Sequence, residues 1–485
     1  MNRRPELPRA GSRAYVPLTI AAVVALAALL TRVGSDARWL AALGRDIALR
    51  GAIPAGLPFA GAGTAHWPNP VVLAELIFAA LEGALGDRGL MLAQLVAVAA
   101  GLALIARDAR AGGASSSATA AVLALVALGT IASLAIVRVQ LFSLVMMPAL
   151  VALLRSQARA PSSRIWLAVP LLALWSNLHG AALLGLGILI CHLLAQRGRH
   201  RPWESLAIAV AGAAALCVTP AGVATIAYYH GVLTNVAAQR GAGMWAPLSL
   251  SSPFDLLTIV AAAASLPSAA RARPALWEWL VIAALTIATV SAARNGVWLM
   301  LFLAAPAARG LAPAGSRRAR SLAPAGDDRS PARPRDAGAS RALNQVVKPA
   351  TAVAAVAAAA LLFAAVARGP APSGAGGSLV RGAVALAHGS PVLADGSIDE
   401  QVALAGGRIW AGDPIDAFSA SVQAAYLDWV SGARDGAGAL TPAVRVVLVA
   451  RGSPSQALMS RMTDFEVAGS DATAVLYRRV GSART

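Results

Sequence analysis

Two short stretches hold the residues best suited to chemistry. The first is Trp175-Ser176-Asn177-Leu178-His179-Gly180, between apolar runs at roughly 165–175 and 181–196. Trp175, Ser176, Asn177 and His179 can hydrogen-bond, and Gly180 lets the backbone turn or pack closely. A polar cluster in hydrocarbon is costly unless it is satisfied or faces a wet cavity. The stretch is therefore either part of a site or a capped turn between two membrane helices, with Asn177 and His179 bonded to neighbours. The second is Gly44-Arg45-Asp46-Ile47. A carboxylate such as Asp46, held near a lipid face, can accept a proton from an attacking hydroxyl. Arg45 beside it can meet a phosphate or stay solvated. His66 and Trp67 add an imidazole and a flat ring that could face a sugar, and Trp67 also suits an aromatic belt. Arg138 and Gln140 occupy a short turn between apolar runs, as do Arg294 and Asn295. Cations at that depth suit a polyprenyl-phosphate headgroup, and they equally suit snorkelling to the interface.

These residues must be positioned by membrane helices. Of the 485 residues, 57% are hydrophobic and only 13% charged, about half the charge of a soluble chain. The mean hydropathy is +0.64. The net charge of +18 is spread over alternate loops, with Lys348 the lone lysine, which is a positive-inside pattern and argues against nucleic acid as a partner. Spans are expected near 15–31, 89–106, 117–136, 140–154, 165–176, 180–196, 204–219, 254–268, 275–292, 296–311 and 349–367, about eleven in all. Arg3, Arg4, Arg9 and Arg13 place residues 1–14 in the cytoplasm. The transmembrane domain then covers 15–311 and includes an outer loop at 32–88, which carries Asp36 and Asp46. That loop reads as two interfacial helices, about 37–50 and 70–84, around a Gly/Pro-rich segment. Residues 312–346 read as a disordered basic linker on the cytoplasmic side, and 347–367 as the last span. Cys191 and Cys217 lie in apolar runs and imply no disulfide.

Residues 368–485 read as a small extracytoplasmic α/β domain. Apolar runs at 391–394, 408–411, 444–450 and 473–479 predict strands, and IDEQVALA, SASVQAAYLDWV and SPSQALMSRM predict helices between them. The alternation calls for at least partly parallel strands. Asp395, Asp413 and Arg451 follow strands, where ligands gather in such sheets or where ordinary loop charges sit.

Several chemistries find no support. There is no P-loop, HExxH, GxSxG or Cys/His metal spacing, and the outer loop has no Asp-x-Asp or Glu-x-Asp pair. No cofactor is expected, and a divalent cation has no sequence support. Ion-coupled transport lacks an intramembrane acidic relay.

The chain resembles the GT-C superfamily of membrane glycosyltransferases, most of all bacterial members described only as hypothetical membrane proteins. The resemblance rests on Gly44-Arg45-Asp46-Ile47 followed by Gly51-Ala52-Ile53-Pro54, on Arg138 to Ser143, on Trp175 to Gly180, and on Asp413-Pro414-Ile415-Asp416-Ala417-Phe418-Ser419. It implies a mainly α polytopic fold with about eleven transmembrane helices and the small α/β domain, in a bacterial inner membrane. It also implies transfer of a sugar from a polyprenyl-phosphate donor to a glycan or lipid acceptor on the extracytoplasmic face, among membrane lipids. In the superfamily the first outer loop supplies the general base, which carry-over assigns to Asp46. Arg45, His66, Trp67, Arg138, Gln140, Asn177, His179 and Arg294 are the expected substrate contacts. Leu57-Pro58-Phe59, Asn69-Pro70 and Met244-Trp245 stand where relatives carry acidic residues. A second expectation follows from them: a GT-C-fold binding or scaffold protein, or a transporter.

Overall fold

The computed structural model describes residues 14–34, 36–64, 66–311 and 337–480. The N-terminal arginine cluster and most of the basic linker, 312–336, lie outside the described residues.

Apolar runs with few helix breakers form the bundle: α1 (Tyr15–Leu30), α4 (Asp87–Ala111), α5 (Ser116–Ala135), α6 (Leu141–Arg159), α7 (Ala168–Ser176), α8 (Ala182–His192), α9 (Pro202–Ala215), α12 (Pro253–Arg271), α13 (Leu276–Ser291) and α14 (Gly296–Gly310). On one side of it lie α2 (Ala37–Arg50), α3 (Val72–Leu85), α10 (Thr225–Thr234) and α11 (Val236–Arg240). Helix Ala337–Arg368 packs along α1. Among the described residues four helices, α4, α5, α6 and α12, are both long and apolar enough to cross a membrane. The other expected spans fall on shorter apolar helices such as α1, α13 and Ala352–Arg368. At 1.5 Å per residue a helix of this length covers about 24 Å, short of a full hydrocarbon core of about 30 Å.

Two long-range features set the frame of the site. The exit from α1 forms a two-residue strand β1 (Arg32–Val33), parallel to β2 (Ile136–Val137) at the exit from α5. Sequence periodicity carries no trace of a pairing this short. Parallel register brings the residues just past each strand together, so Asp36 and Arg138 meet. The second feature is α2. It was expected to rest on lipid, yet Leu40, Leu43 and Ile47 share one core with Val392, Ile398 and Trp429 of the C-terminal residues. An α/β layer covers it.

That layer is a four-stranded sheet of order β3-β4-β6-β5: β3 (Val392–Ala394), β4 (Val446–Ala450), β5 (Phe465–Ser470) and β6 (Ala474–Arg479). Strands β3 and β4 are parallel and the remaining pairs antiparallel. Helices Gly396–Leu404, Ala420–Val430 and Pro454–Met459 match the three expected from sequence. The run at 408–411 is not a strand. Ile409 bridges Val392 and Ala60, and its amide donates to the Phe59 carbonyl at 2.8 Å, so the run clips the sheet to the Gly/Pro-rich loop instead. Strand β5, buried at Phe465 and exposed over most of its length, has no apolar run to announce it.

At the far end of the bundle Arg155 is 4% exposed and joins Asp108 at 2.9 Å and Glu278 at 2.8 Å. It also donates to the Phe302 carbonyl at 2.9 Å. Arg155 counts toward the loop charge in sequence, yet it locks α4, α6, α13 and α14 together.

Candidate active site

The helix ends on the β1–β2 side surround a cavity of about 440 Å³, which Asp413 to Asp416 roof over from the C-terminal sheet layer. Its lining includes the apolar side chains Leu183, Leu184, Val232, Leu233, Leu285 and Trp298. It also includes the polar and charged side chains of Asp36, Arg138, His179, Arg294, Asp413 and Asp416.

Asp36 and Arg138 form an ion pair, with Nη2 3.0 Å and Nε 3.1 Å from the same carboxylate oxygen. Both are about one-sixth exposed or less, at 16% and 14%. Asp36 has φ +89°, a region a non-glycine residue enters at a cost of order 1–3 kcal/mol, so the surroundings must hold it there. Arg294 differs from Arg138. Its guanidinium lies 4.5 Å from the centre of the Trp245 ring and pairs with no carboxylate among the described residues. Burial and the like charge of Arg138 both oppose its protonated form. The cavity thus holds a cation that lacks an anion, beside a second cation shared with Asp36.

The two sequence motifs are joined here. Trp175 Nε1, which can only donate, bonds Ser143 Oγ at 2.6 Å. Ser143 Oγ also lies 2.6 Å from His179 Nδ1, a hydrogen bond whose donor follows the imidazole tautomer. Burial, with Arg294 next, drives the His179 pKa down to about 3, so the ring that lines the cavity is neutral. Gly180 is needed for contact: a Cβ there would sit 2.9 Å from the Tyr228 hydroxyl. Asn177 takes the other outcome left open by sequence. Its amide donates to the Ala173 and Val218 carbonyls at 2.8 and 2.6 Å, which closes α7 without lining the cavity.

The roof is acidic. Asp416 accepts from Trp67 Nε1 at 2.8 Å, and Trp67 packs edge-on against Trp39. Burial raises the Asp416 carboxyl above its ordinary range. The Asp413 side chain accepts no hydrogen bond among the described residues. Burial and the charge of Asp36 raise its pKa to about 7, against the pull of Arg138.

Of the expected site residues, the structure brings Trp67, Arg138, Gln140, His179 and Arg294 to one cavity. Asp46, Arg45, His66 and Asn177 are not among its lining residues. Asp46 sits one helical turn before Arg50 and pairs with it at 2.8 Å. Arg45 donates to the Leu404 carbonyl. Gly44 is a packing residue, since a Cβ would lie 2.0 Å from the Glu75 carbonyl oxygen on α3. The Gly44 to Ile47 motif is therefore the seam between α2, α3 and the C-terminal layer. His66 is exposed. The carboxylates in the cavity are Asp36, Asp413 and Asp416. For Asp36 the available signal was position: it is the first acidic residue after the first apolar helix. No group of acidic, His or Cys side chains suited to a metal ion is found among the described residues.

No family model matches the chain, and no curated protein matches it in sequence. Solved structures do match. ArnT from Cupriavidus metallidurans bound to undecaprenyl phosphate is 13% identical, with a TM-score of 0.52 over 96% of this chain and 97% of that one. The apo state of the same protein is 14% identical, with a TM-score of 0.51 over the same shares. The mycobacterial arabinofuranosyltransferase AftD is 12% identical with a TM-score of 0.45, over 96% of this chain and 41% of that one. At such identities a likeness speaks for fold alone: this chain shares the overall fold of ArnT.

Proposed function

We propose that this chain, built on that fold, transfers a sugar from a polyprenyl-phosphate donor to a hydroxyl or amine acceptor at the extracytoplasmic face of a bacterial membrane. The observation that carries the reading is the unpaired Arg294 beside the Asp36–Arg138 pair, in a cavity that also has apolar walls. A lipid phosphate carries both matching parts: an anion that needs a cation, and a hydrocarbon chain that needs an apolar wall. The ArnT structure, with its undecaprenyl phosphate, supports this choice of donor class.

In this reading the donor phosphate meets Arg294 and takes a share of Arg138. Asp36, relieved of part of its ion pair, becomes free to accept the acceptor's proton. The acceptor oxygen or nitrogen then attacks the anomeric carbon and the bond from that carbon to the phosphate oxygen breaks. The proton stays on Asp36. The electron pair leaves with the polyprenyl phosphate, whose added charge the two guanidinium groups stabilise. Trp39 and Trp67 offer flat faces for a sugar ring. The base role expected of Asp46 passes to Asp36, because a base must reach the proton it removes.

The test supplies purified protein with polyprenyl-phosphate-linked pentoses and hexoses, together with envelope glycan and lipid fractions. Transfer of label that Asp36→Asn abolishes is the expected result. Full transfer in that variant refutes the assignment.

A further inference from the structure

Helix α2 starts at an unusual place. Its first turn leaves amide donors without intrahelical partners, and an Asp at that position ordinarily caps them with its own side chain. Asp36 does not. The donors go instead to Glu400, on helix Gly396–Leu404 of the C-terminal layer. The Asp36 N–H donates to Oε1 at 2.8 Å and the Arg38 N–H donates to Oε2 at 3.1 Å. Glu400 is 1% exposed, and the two partners lie more than 360 residues away in sequence.

We propose that Glu400 is a positioning residue for Asp36. By capping α2 from outside it keeps the Asp36 carboxylate off its own helix and directed at Arg138 and the cavity. The proposal rests on the sugar-transfer reading and adds a role for the C-terminal layer, which becomes a working part of the site as well as its cover.

The physical argument is one of competition. Asp is among the strongest N-cap residues, so its default is to fold onto the free amides two and three positions on. A two-oxygen acceptor arriving from another element removes that default. It also satisfies the Asp36 amide while the residue holds φ +89°. Without Glu400, the nearest acceptor for the Arg38 amide is the Asp36 side chain itself. Turning onto it moves the carboxylate away from Arg138. Both cations remain at the cavity, Arg294 against the Trp245 ring and Arg138 directly after β2.

The test uses the full chain in lipid, with Glu400→Ala, Glu400→Gln and a control. The control is Asp428→Asn, which removes a different ion pair between this layer and the loops, Asp428 with Arg240 at 2.6 Å, and does not touch Asp36. Glu400→Ala is expected to lower kcat about tenfold or more, since small displacements of a reacting group are costly. Donor KM and the Kd for undecaprenyl phosphate should hold or fall, because Arg138 released from Asp36 is free for the phosphate. Glu400→Gln, which keeps one acceptor oxygen, should fall between, and Asp428→Asn should match the parent. An unchanged kcat in Glu400→Ala, with Asp36→Asn inactive, overturns the positioning role and leaves sugar transfer standing. A parallel loss of kcat and lipid-phosphate binding also overturns it, as general disruption. Full activity of Asp36→Asn brings down the transfer reading itself. Should the alanine variant fail to fold, a structure of the similarly sized Glu400→Met, which lacks both acceptor oxygens, decides the matter: Asp36 still paired with Arg138 refutes the proposal.

Discussion

Replacing Arg294 with Gln isolates the phosphate contact from everything else in the cavity. Arg294 pairs with no carboxylate among the described residues, so its removal strands no buried anion, and its stack on Trp245 is a modest contribution. A hydrogen bond to a charged group is worth about 1.5–3 kcal/mol, and each 1.4 kcal/mol is tenfold in affinity. The Kd for undecaprenyl phosphate should therefore rise by about tenfold to a hundredfold. Thermal stability without ligand should hold or rise, because burial and Arg138 oppose the Arg294 charge. Arg138→Gln should behave differently. It strands Asp36, buried at 16% exposure, and should lower apparent stability by about 1–3 kcal/mol while weakening binding less. Titration calorimetry in detergent, with thermal unfolding on the same samples, reads both quantities. Unchanged lipid-phosphate affinity in Arg294→Gln refutes the reasoning, as does a loss of ligand-free stability equal to that of Arg138→Gln.

Asp46→Asn should leave transfer within about twofold of the parent, while Asp36→Asn lowers it by about 10²-fold or more in the same labelled-sugar assay. Asp413 adds a pH dependence. Its carboxyl is raised from 3.8 to about 7, so it is neutral below about pH 7 and adds a negative charge above. Lipid-phosphate affinity should fall as pH rises from about 6 to 8, and Asp413→Asn should reduce that slope, to which the ligand's own titration and Glu400, raised to about 8 by burial and the charge of Asp413, also contribute. The same shift stabilises the fold most at low pH and is lost as pH rises through about 7, a trend that thermal unfolding of parent and variant can check. Arg155→Met should cost about 3–5 kcal/mol by denaturant or heat, because it leaves Asp108 and Glu278 buried without their shared cation.

Much of the frame was legible because apolar runs and their charged loops are local signals. Helices α1, α2, α5 and α13 start and stop within one or two residues of where hydropathy put them. The turns bearing Arg138, His179 and Arg294 were legible for the same reason, since a charged or polar residue between two apolar helices has few places to go. Asp46 shows where this kind of reading stops. A carboxylate on α2 was expected in the site, and the one found there, Asp36, stands just before the helix begins. The side of the helix that faces the cavity, however, is fixed by Gly44 packing on α3 and by the C-terminal layer on top. Neither contact leaves a periodic trace in the outer loop. The β1–β2 pairing is two residues long and joins segments about a hundred residues apart. Only the assembled chain contains it.

On the proposed sugar-transfer reading, the charges in the cavity let donor binding prepare the chemistry. Two guanidinium groups face three carboxylates, yet they are not paired one to one: Asp36 holds Arg138, Trp67 holds Asp416, and Arg294 and Asp413 are left apart. An empty site with Asp413 neutral is therefore close to balanced, which keeps a buried cavity tolerable. A phosphate entering on Arg294 shifts that balance. Arg138, 3.0 Å from Asp36 and on the same side as Arg294, can serve the phosphate only by loosening its hold on the carboxylate. The base is thus weakest when no donor is present and strongest when one is bound. On this argument, donor and acceptor should bind in order, donor first. Product-inhibition kinetics should show free polyprenyl phosphate competing with the donor alone, and random-order kinetics would contradict the linkage between Arg138 and Asp36.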